Sequence, residues 1–167
     1  LFPHSQMKIL DYNRVLRDLN GMSVEDFMSA IQTNFHVVKL NSEDDARPSK
    51  TLEYGLYLEN NWYKLSLKPE VISTINKDNP VNILDVSALE KYLLSPILGI
   101  NDQRTDQRVD FVGGIKGLSE LKNRVTRDGW AAAIALYPTS IESLMQVADA
   151  GVVMPPKSTW FEPKLKS

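Results

Sequence analysis

The sequence predicts an α+β domain: a mixed β-sheet with a β-hairpin and about four helices. Three observations carry this. Tyr54, Leu56 and Leu58 alternate with their neighbours, as do Tyr63, Leu65 and Leu67, and Asn60-Asn61 between the runs suits a tight turn. Val24, Phe27, Met28, Ile31 and Phe35 recur at helical spacing behind Ser23, a good N-cap. The run 131–137 is wholly apolar and reads as a central strand. Strands and helices then follow in an order that fits neither an all-α nor an all-β chain.

Residues 8–18 read as extended, with Leu10 and Tyr12 between polar neighbours. The helix from Ser23 has Asp26 in a capping-box variant and Met22 with Phe27 as a hydrophobic staple. A short strand is expected over 36–40, then a polar loop over 41–50 and the hairpin. Pro69 and Pro80 bracket a segment read as a short helix over 70–75. Val86, Leu89 and Leu93 give one face to a helix over 85–94, with Pro96 near its end. A strand over 109–112 ends at Gly113-Gly114. Leu118, Leu121 and Val125 mark a helix closed by Gly129. Thr139 caps a further helix, with Glu142, Ile141, Leu144, Met145 and Ala148, stopped by Gly151. Residues 152–154 read as extended.

Composition excludes several function classes. Of 167 residues, 43% are hydrophobic and 24% charged, so one core forms without disulfide or structural metal, and disorder, collagen and coiled coil are ruled out. There is no cysteine, which removes thiolate zinc sites and cysteine nucleophiles. The net charge of −2 argues against nucleic-acid binding, which usually needs a basic surplus. No apolar run is long enough to span a bilayer, so no membrane partner is expected. With Leu1-Phe2-Pro3-His4 at its start and no signal layout, the chain reads as one domain, 1–167, a piece of a longer protein.

Few residues carry arguable chemistry. His4 and His36 are the two histidines, and both read as structural or surface groups. Asp102, Asp106 and Asp110 are spaced four apart, which on a helix suits a divalent cation. Arg104 and Arg108 interleave with them, so a salt-bridged loop is the expectation and no metal site is assigned. Those arginines, with Gly113-Gly114 and Lys116, could instead meet an anion, since glycines before a helix expose N–H groups. Asn13-Arg14 reads either as a fork that binds carboxylate or phosphate or as exposed polar residues on an edge strand. The stretch 154–164 is stiffened by three prolines and holds Lys157, Ser158 and Thr159, an arrangement that fits an anion-binding loop. Pinning of the end of the chain by Trp160 and Phe161 is the structural alternative.

These motifs together resemble the family known as domain of unknown function 1015. The resembling stretches are 1–15 (LFPHSQMKILDYNRV), 110–114 (DFVGG), 135–140 (ALYPTS), 147–151 (VADAG) and 154–164, so the resemblance extends over essentially the whole chain. It implies a longer cytoplasmic protein whose biochemical role is not established. Upstream of the resembling region, family members carry an Asp-Gly-His-His-Arg motif. That motif resembles one in ParB-like proteins, a group that includes a free-serine kinase. This chain has no such motif, so it is expected to lack activity by itself.

The resulting expectation is a C-terminal domain of a nucleotide-dependent phosphotransferase acting on a small, serine-like molecule. Asn13, Arg14, Gly113, Gly114, Lys157, Ser158 and Thr159 are its expected ligand contacts, with no catalytic acid or base assigned. The fragment holds no cofactor of its own, and ATP or ADP with Mg²⁺ is expected for the whole protein. Its partners are the missing N-terminal region and a small anionic ligand. A non-catalytic ligand-binding or regulatory module is the first alternative, and ParB-like nucleic-acid binding the second.

Overall fold

The computed structural model describes residues 8–10, 12–103, 105–138, 145, 148–149, 151 and 160–162. Two sheets form. A small one pairs β1 (Lys8–Leu10) with β8 (Trp160–Glu162), antiparallel. The main sheet has six strands, β2 (Tyr12–Leu16), β3 (Phe35–Lys39), β4 (Glu53–Leu58), β5 (Asn61–Leu67), β6 (Val109–Gly113) and β7 (Ala132–Leu136), in the order β3-β5-β4-β7-β2-β6. Every neighbouring pair in it is antiparallel. The α+β class and the hairpin are as the sequence indicates.

Alternation sorts the strand residues onto two cores. Leu16, Tyr54, Leu56, Leu58, Ile134 and Leu136 face one side, packed with helix α1 (Val24–Ile31) and a helical rod over 85–98. Val15, Tyr57, Val112, Ala133 and Ala135 face the other, under helix α5 (Gly117–Thr126) through Leu118 and Leu121. Strand β7 is buried along its whole length, as its unbroken apolar run requires.

Ser23 caps α1 by accepting from the Asp26 N–H at 3.1 Å. The helix stops four residues short of Phe35, because Thr33 and Asn34 bond back only three residues. Phe35 is still buried, as the first residue of β3, edge-on to Tyr54 with ring centroids 5.9 Å apart. The hairpin turn falls one residue earlier than expected. Tyr57 pairs with Trp62 and Leu58 with Asn61, so Glu59 and Asn60 take the positive φ values, 46° and 64°. The short helix after Pro69 is α2 (Pro69–Ile72).

The rod over 85–98 is one continuous helix in three parts: α3 (Asp85–Leu89), a π-helical turn (Glu90–Leu94) and α4 (Ser95–Leu98). The rod runs four residues beyond its expected end, to Leu98, and Pro96 sits inside it. Proline has no N–H to offer the Tyr92 carbonyl one turn back. The Asn34 amide donates to that carbonyl instead, at 3.1 Å. Arg108 closes the C-terminal end, donating to the Leu98 carbonyl at 2.8 Å and the Gly99 carbonyl at 3.1 Å. The helix expected after Thr139 and the strand expected over 152–154 fall largely outside the described residues.

Two stability effects follow from this packing. A Cβ on Gly55, in β4, would overlap the carbonyl oxygen of Ala46. Gly55→Ala is therefore expected to lose about 1–3 kcal/mol in urea denaturation; an unchanged midpoint would mean that the turn over 44–46 does not rest on β4. Asn34→Ala leaves the Tyr92 carbonyl without its donor. It should cost about 1–2 kcal/mol at an unchanged denaturant slope.

Candidate functional site

The start of β2 lies inside the sheet, between β7 and β6. Asn13 and Arg14 are therefore not exposed polar residues of an edge strand. Both are buried, at 1% and 0% exposure. Nor do they form one fork, because neighbours in a strand project to opposite faces. Arg14 lies on the face of the helical rod, Asn13 on that of α5.

The two side chains replace missing sheet bonds. The β2–β7 ladder stops at Arg14–Ile134, although β7 runs on to Leu136. There the Leu136 N–H donates to Asn13 Oδ1 at 2.9 Å. Arg14 Nη1 folds back to donate to the Tyr12 carbonyl.

Several groups hold Arg14. Its Nε donates to Gln103 Oε1 at 3.0 Å, and Gln103 Nε2 donates to Glu90 Oε1 at 3.2 Å. The guanidinium carbon lies 4.9 Å from the centre of the Phe111 ring, its cross-strand neighbour. Nη2 is buried and has no hydrogen-bond partner among the described residues. Burial lowers the Arg14 pKa to about 10, against the pull of Tyr54 and Glu90. The group stays cationic at neutral pH.

A second buried pair sits beside it. The Tyr54 hydroxyl donates to the Asp85 carbonyl at 2.6 Å, and Asp85 Oδ1 accepts from the Leu52 N–H at 2.6 Å. Burial pushes the Asp85 carboxyl up to about 7, opposed by that N–H. Tyr54 is pushed well above its usual range by burial and then by Asp85. Arg14, Tyr54, Asp85 and Gln103, all buried, and the half-buried Glu90 thus form a polar strip where α3 begins. The sequence pattern marked Arg14 alone; Gln103 and Glu90 lie 89 and 76 positions away along the chain and carry no local signal.

Gly113 sits at the same end of the sheet, paired with Tyr12. Strands β6 and β7 both run antiparallel to β2, so both end here. Gly113 and Gly114 precede α5 as expected, but the left-handed glycine of the turn is Gly117, at φ +76°. Lys157, Ser158 and Thr159 lie outside the described residues.

The acidic loop is tied up in ion pairs. Asp106 chelates Arg108, with Arg108 Nη2 2.9 Å from Oδ2, and Asp110 pairs with Arg124 at 3.5 Å. Arg108 is thereby a structural cation, not an anion contact. No group of three His, Asp or Glu among the described residues could hold a metal ion. His36 lies exposed on β3, an edge strand. No helix among the described residues is long and apolar enough to cross a membrane.

Gln103→Leu should cost about 2–4 kcal/mol, since it removes the acceptor of Arg14 and the donor to Glu90 together. Asp85 makes stability depend on pH with a definite sign. Its carboxyl titrates near 7 in the fold against an ordinary 3.8, so folding favours the protonated form. The stability gained from that form is full below about pH 4 and is lost as pH rises to about 7. Asp85→Asn keeps an acceptor for Leu52 and should remove this decline. The difference in unfolding free energy between variant and wild type, followed from pH 4 to 7, should grow steadily.

Three solved structures share this fold. A mutant free serine kinase in complex with AMP aligns with TM-score 0.53 at 12% identity, covering 95% of this chain and 55% of its own. A mutant of the free serine kinase in complex with ADP aligns with TM-score 0.51 at 14% identity, with the same coverage. A conserved hypothetical protein from Pyrococcus furiosus aligns with TM-score 0.53 at 14% identity, over 93% of this chain and 56% of its own. The chain thus spans about half the length of the structures it matches, and at these identities the likeness is one of fold. No curated protein matches the sequence significantly. The resembling stretches from Asp110 onward fall beyond the part that the family pattern covers. That pattern matches residues 1–87, just over half of the sequence, and the chain belongs to the protein family of unknown function DUF1015.

Proposed function

We propose that this chain is the C-terminal part of a cytoplasmic, nucleotide-dependent phosphotransferase acting on a small serine-like molecule, and that it supplies anion contacts to a pocket completed by an N-terminal region. The carrying observation is Arg14: a buried guanidinium, fixed by Gln103 and Phe111, with Nη2 lacking a partner at the end of the sheet. A guanidinium so held suits a phosphate or carboxylate, because its donors are oriented before the ligand arrives. Strands β6 and β7 end beside it, and α5 follows Gly113-Gly114, where backbone N–H groups favour negative charge. The fold likeness to kinase structures holding AMP and ADP supports a nucleotide as the ligand of the whole protein; Mg²⁺ is proposed as its counter-ion. Lys157, Ser158 and Thr159 are proposed as further contacts. Phosphoryl transfer needs chiefly such positioning and charge stabilisation.

One observation favours a non-catalytic ligand-binding module instead. Glu90, the carboxylate reached from Arg14 through Gln103, is already engaged by that amide. Ligand binding without phosphate transfer would then be the outcome.

The test is a thermal-shift comparison of the longer protein and this chain, with ATP or ADP and Mg²⁺, L-serine, inorganic phosphate and short DNA. A nucleotide should raise the Tm of the longer protein by mass action. Lys157→Ala should shrink that rise while leaving the unliganded Tm in place. If neither nucleotide nor L-serine shifts the longer protein, the phosphotransferase reading fails, and a shift by DNA alone would favour the ParB-like alternative.

A further inference from the structure

The main sheet has two edges, β6 and β3, and their backbone groups are treated differently. Strand β6 closes its own edge. Its bonds to β2 alternate, with the Arg17 N–H on the Arg108 carbonyl, so Val109, Phe111 and Gly113 turn their backbone groups outward. The Val109 N–H is taken by the Asp106 carbonyl at 3.4 Å, and the Phe111 N–H by Asp110 Oδ1 at 2.8 Å. Strand β3 is left open. The Leu40 N–H donates to the Trp62 carbonyl and the Asn34 carbonyl accepts from Lys68, so the same alternation turns Val37 and Lys39 outward. Neither of their N–H groups has a partner among the described residues. Phe35, the other outward residue of the strand, is sealed in the core.

An open edge is a template for another strand unless proline or a bulge blunts it. Strand β3 has no proline, and its register against β5 runs unbroken from Phe35 to Lys39. His36 and Lys39 are exposed, and Val38 is an apolar side chain left 58% exposed. These residues select one register for two copies. When β3 is set antiparallel about a two-fold axis at Val38, Val37 of one copy meets Lys39 of the other, and each such pair exchanges both backbone bonds. Between those pairs Val38 meets Val38, at the close, non-hydrogen-bonded position, about 4.5 Å apart at Cα. His36 faces Leu40, and no like charges are opposed. An axis one residue on would set Lys39 against Lys39, and one residue back would need the sealed backbone of Phe35.

We propose that β3 is a docking edge for a second copy of this chain, paired antiparallel about Val38, so that two six-stranded sheets become one. Strands this short make a small interface, so the association is weak and reversible rather than obligate. Strands β5, β4 and β7 separate this edge from β2, and docking here does not depend on what Arg14 binds.

The experiment is sedimentation velocity on the 167-residue chain and on the longer protein, from about 10 µM to about 1 mM. The mass of each should rise with concentration toward that of a dimer, while the Val37 and Lys39 amides slow in hydrogen exchange. Val38→Lys sets two ammoniums face to face at the axis, and Val38→Glu two carboxylates. Each variant alone should associate about tenfold or more weakly, with its Tm close to wild type because Val38 is exposed. An equimolar mixture of the two should associate again, since unlike charges then meet where residue 38 faces itself. Either protein staying monomeric to about 1 mM, a Val38→Lys variant that dimerises like wild type, or a mixture no better than its parts would overturn the inference. Slow exchange of those amides in a monomeric longer protein would also overturn it, and would give the edge to the N-terminal region.

Discussion

A guanidinium in the middle of a sheet is the constraint around which this fold is arranged. Arg14 enters from β2, an interior strand, and is fully buried. Burying a cation is costly unless it is paired and bonded. The surrounding elements meet that cost in a particular way. The loop before β6 brings Gln103 under Nε, the helical rod brings Glu90 behind Gln103, and β6 lays Phe111 against the plane. The loop over 101–108 would otherwise have little reason to fold back onto the sheet. Arg108 holds its far end against the Leu98 and Gly99 carbonyls.

The same constraint explains why the rod departs from α-helical geometry. Glu90, the first residue of the π-turn, must reach Gln103, while Leu89, Leu93 and Leu94 stay in the core. Pro96 follows at once, and the carbonyl it leaves is taken by Asn34 from the end of α1. One non-local bond thus ties α1 to the rod at the point where the backbone ladder is weakest. Asp85, at the start of the rod, is anchored by Leu52 and Tyr54 just ahead of and inside β4. The polar strip therefore fixes both the position and the rotation of the rod on the sheet.

Local pattern made much of this fold legible. The Ser23 cap, the hairpin and the run 131–137 each stand where periodicity and turn chemistry put them. Boundaries moved where tertiary contacts decide. Phe35 fits a helical stripe in sequence but is buried just as well at the head of β3. The turn shifted to Glu59-Asn60 because the Tyr57–Trp62 pairing sets the register, overriding the preference of asparagine for the second position. The site was less legible. Asn13-Arg14 stood out as a polar pair in an extended run, yet period-two alternation sends them to opposite faces, and burial, which sequence does not display, decides what they do. Gln103 and Glu90 are ordinary polar residues until the sheet brings them under Arg14. Arg108 resembled an anion contact only while its carbonyl partners were unknown.

The central claim is that the buried, unpartnered Nη2 of Arg14 awaits a ligand anion. The most direct test is a crystal structure of the longer protein containing this chain, grown with ADP and Mg²⁺. The account predicts a phosphate or substrate carboxylate oxygen about 2.7–2.9 Å from Arg14 Nη2, with the bonds to Gln103 and Tyr12 kept. Nη2 instead donating to a protein carbonyl of the N-terminal region, with the nucleotide bound elsewhere, would contradict it and make Arg14 a purely structural cation.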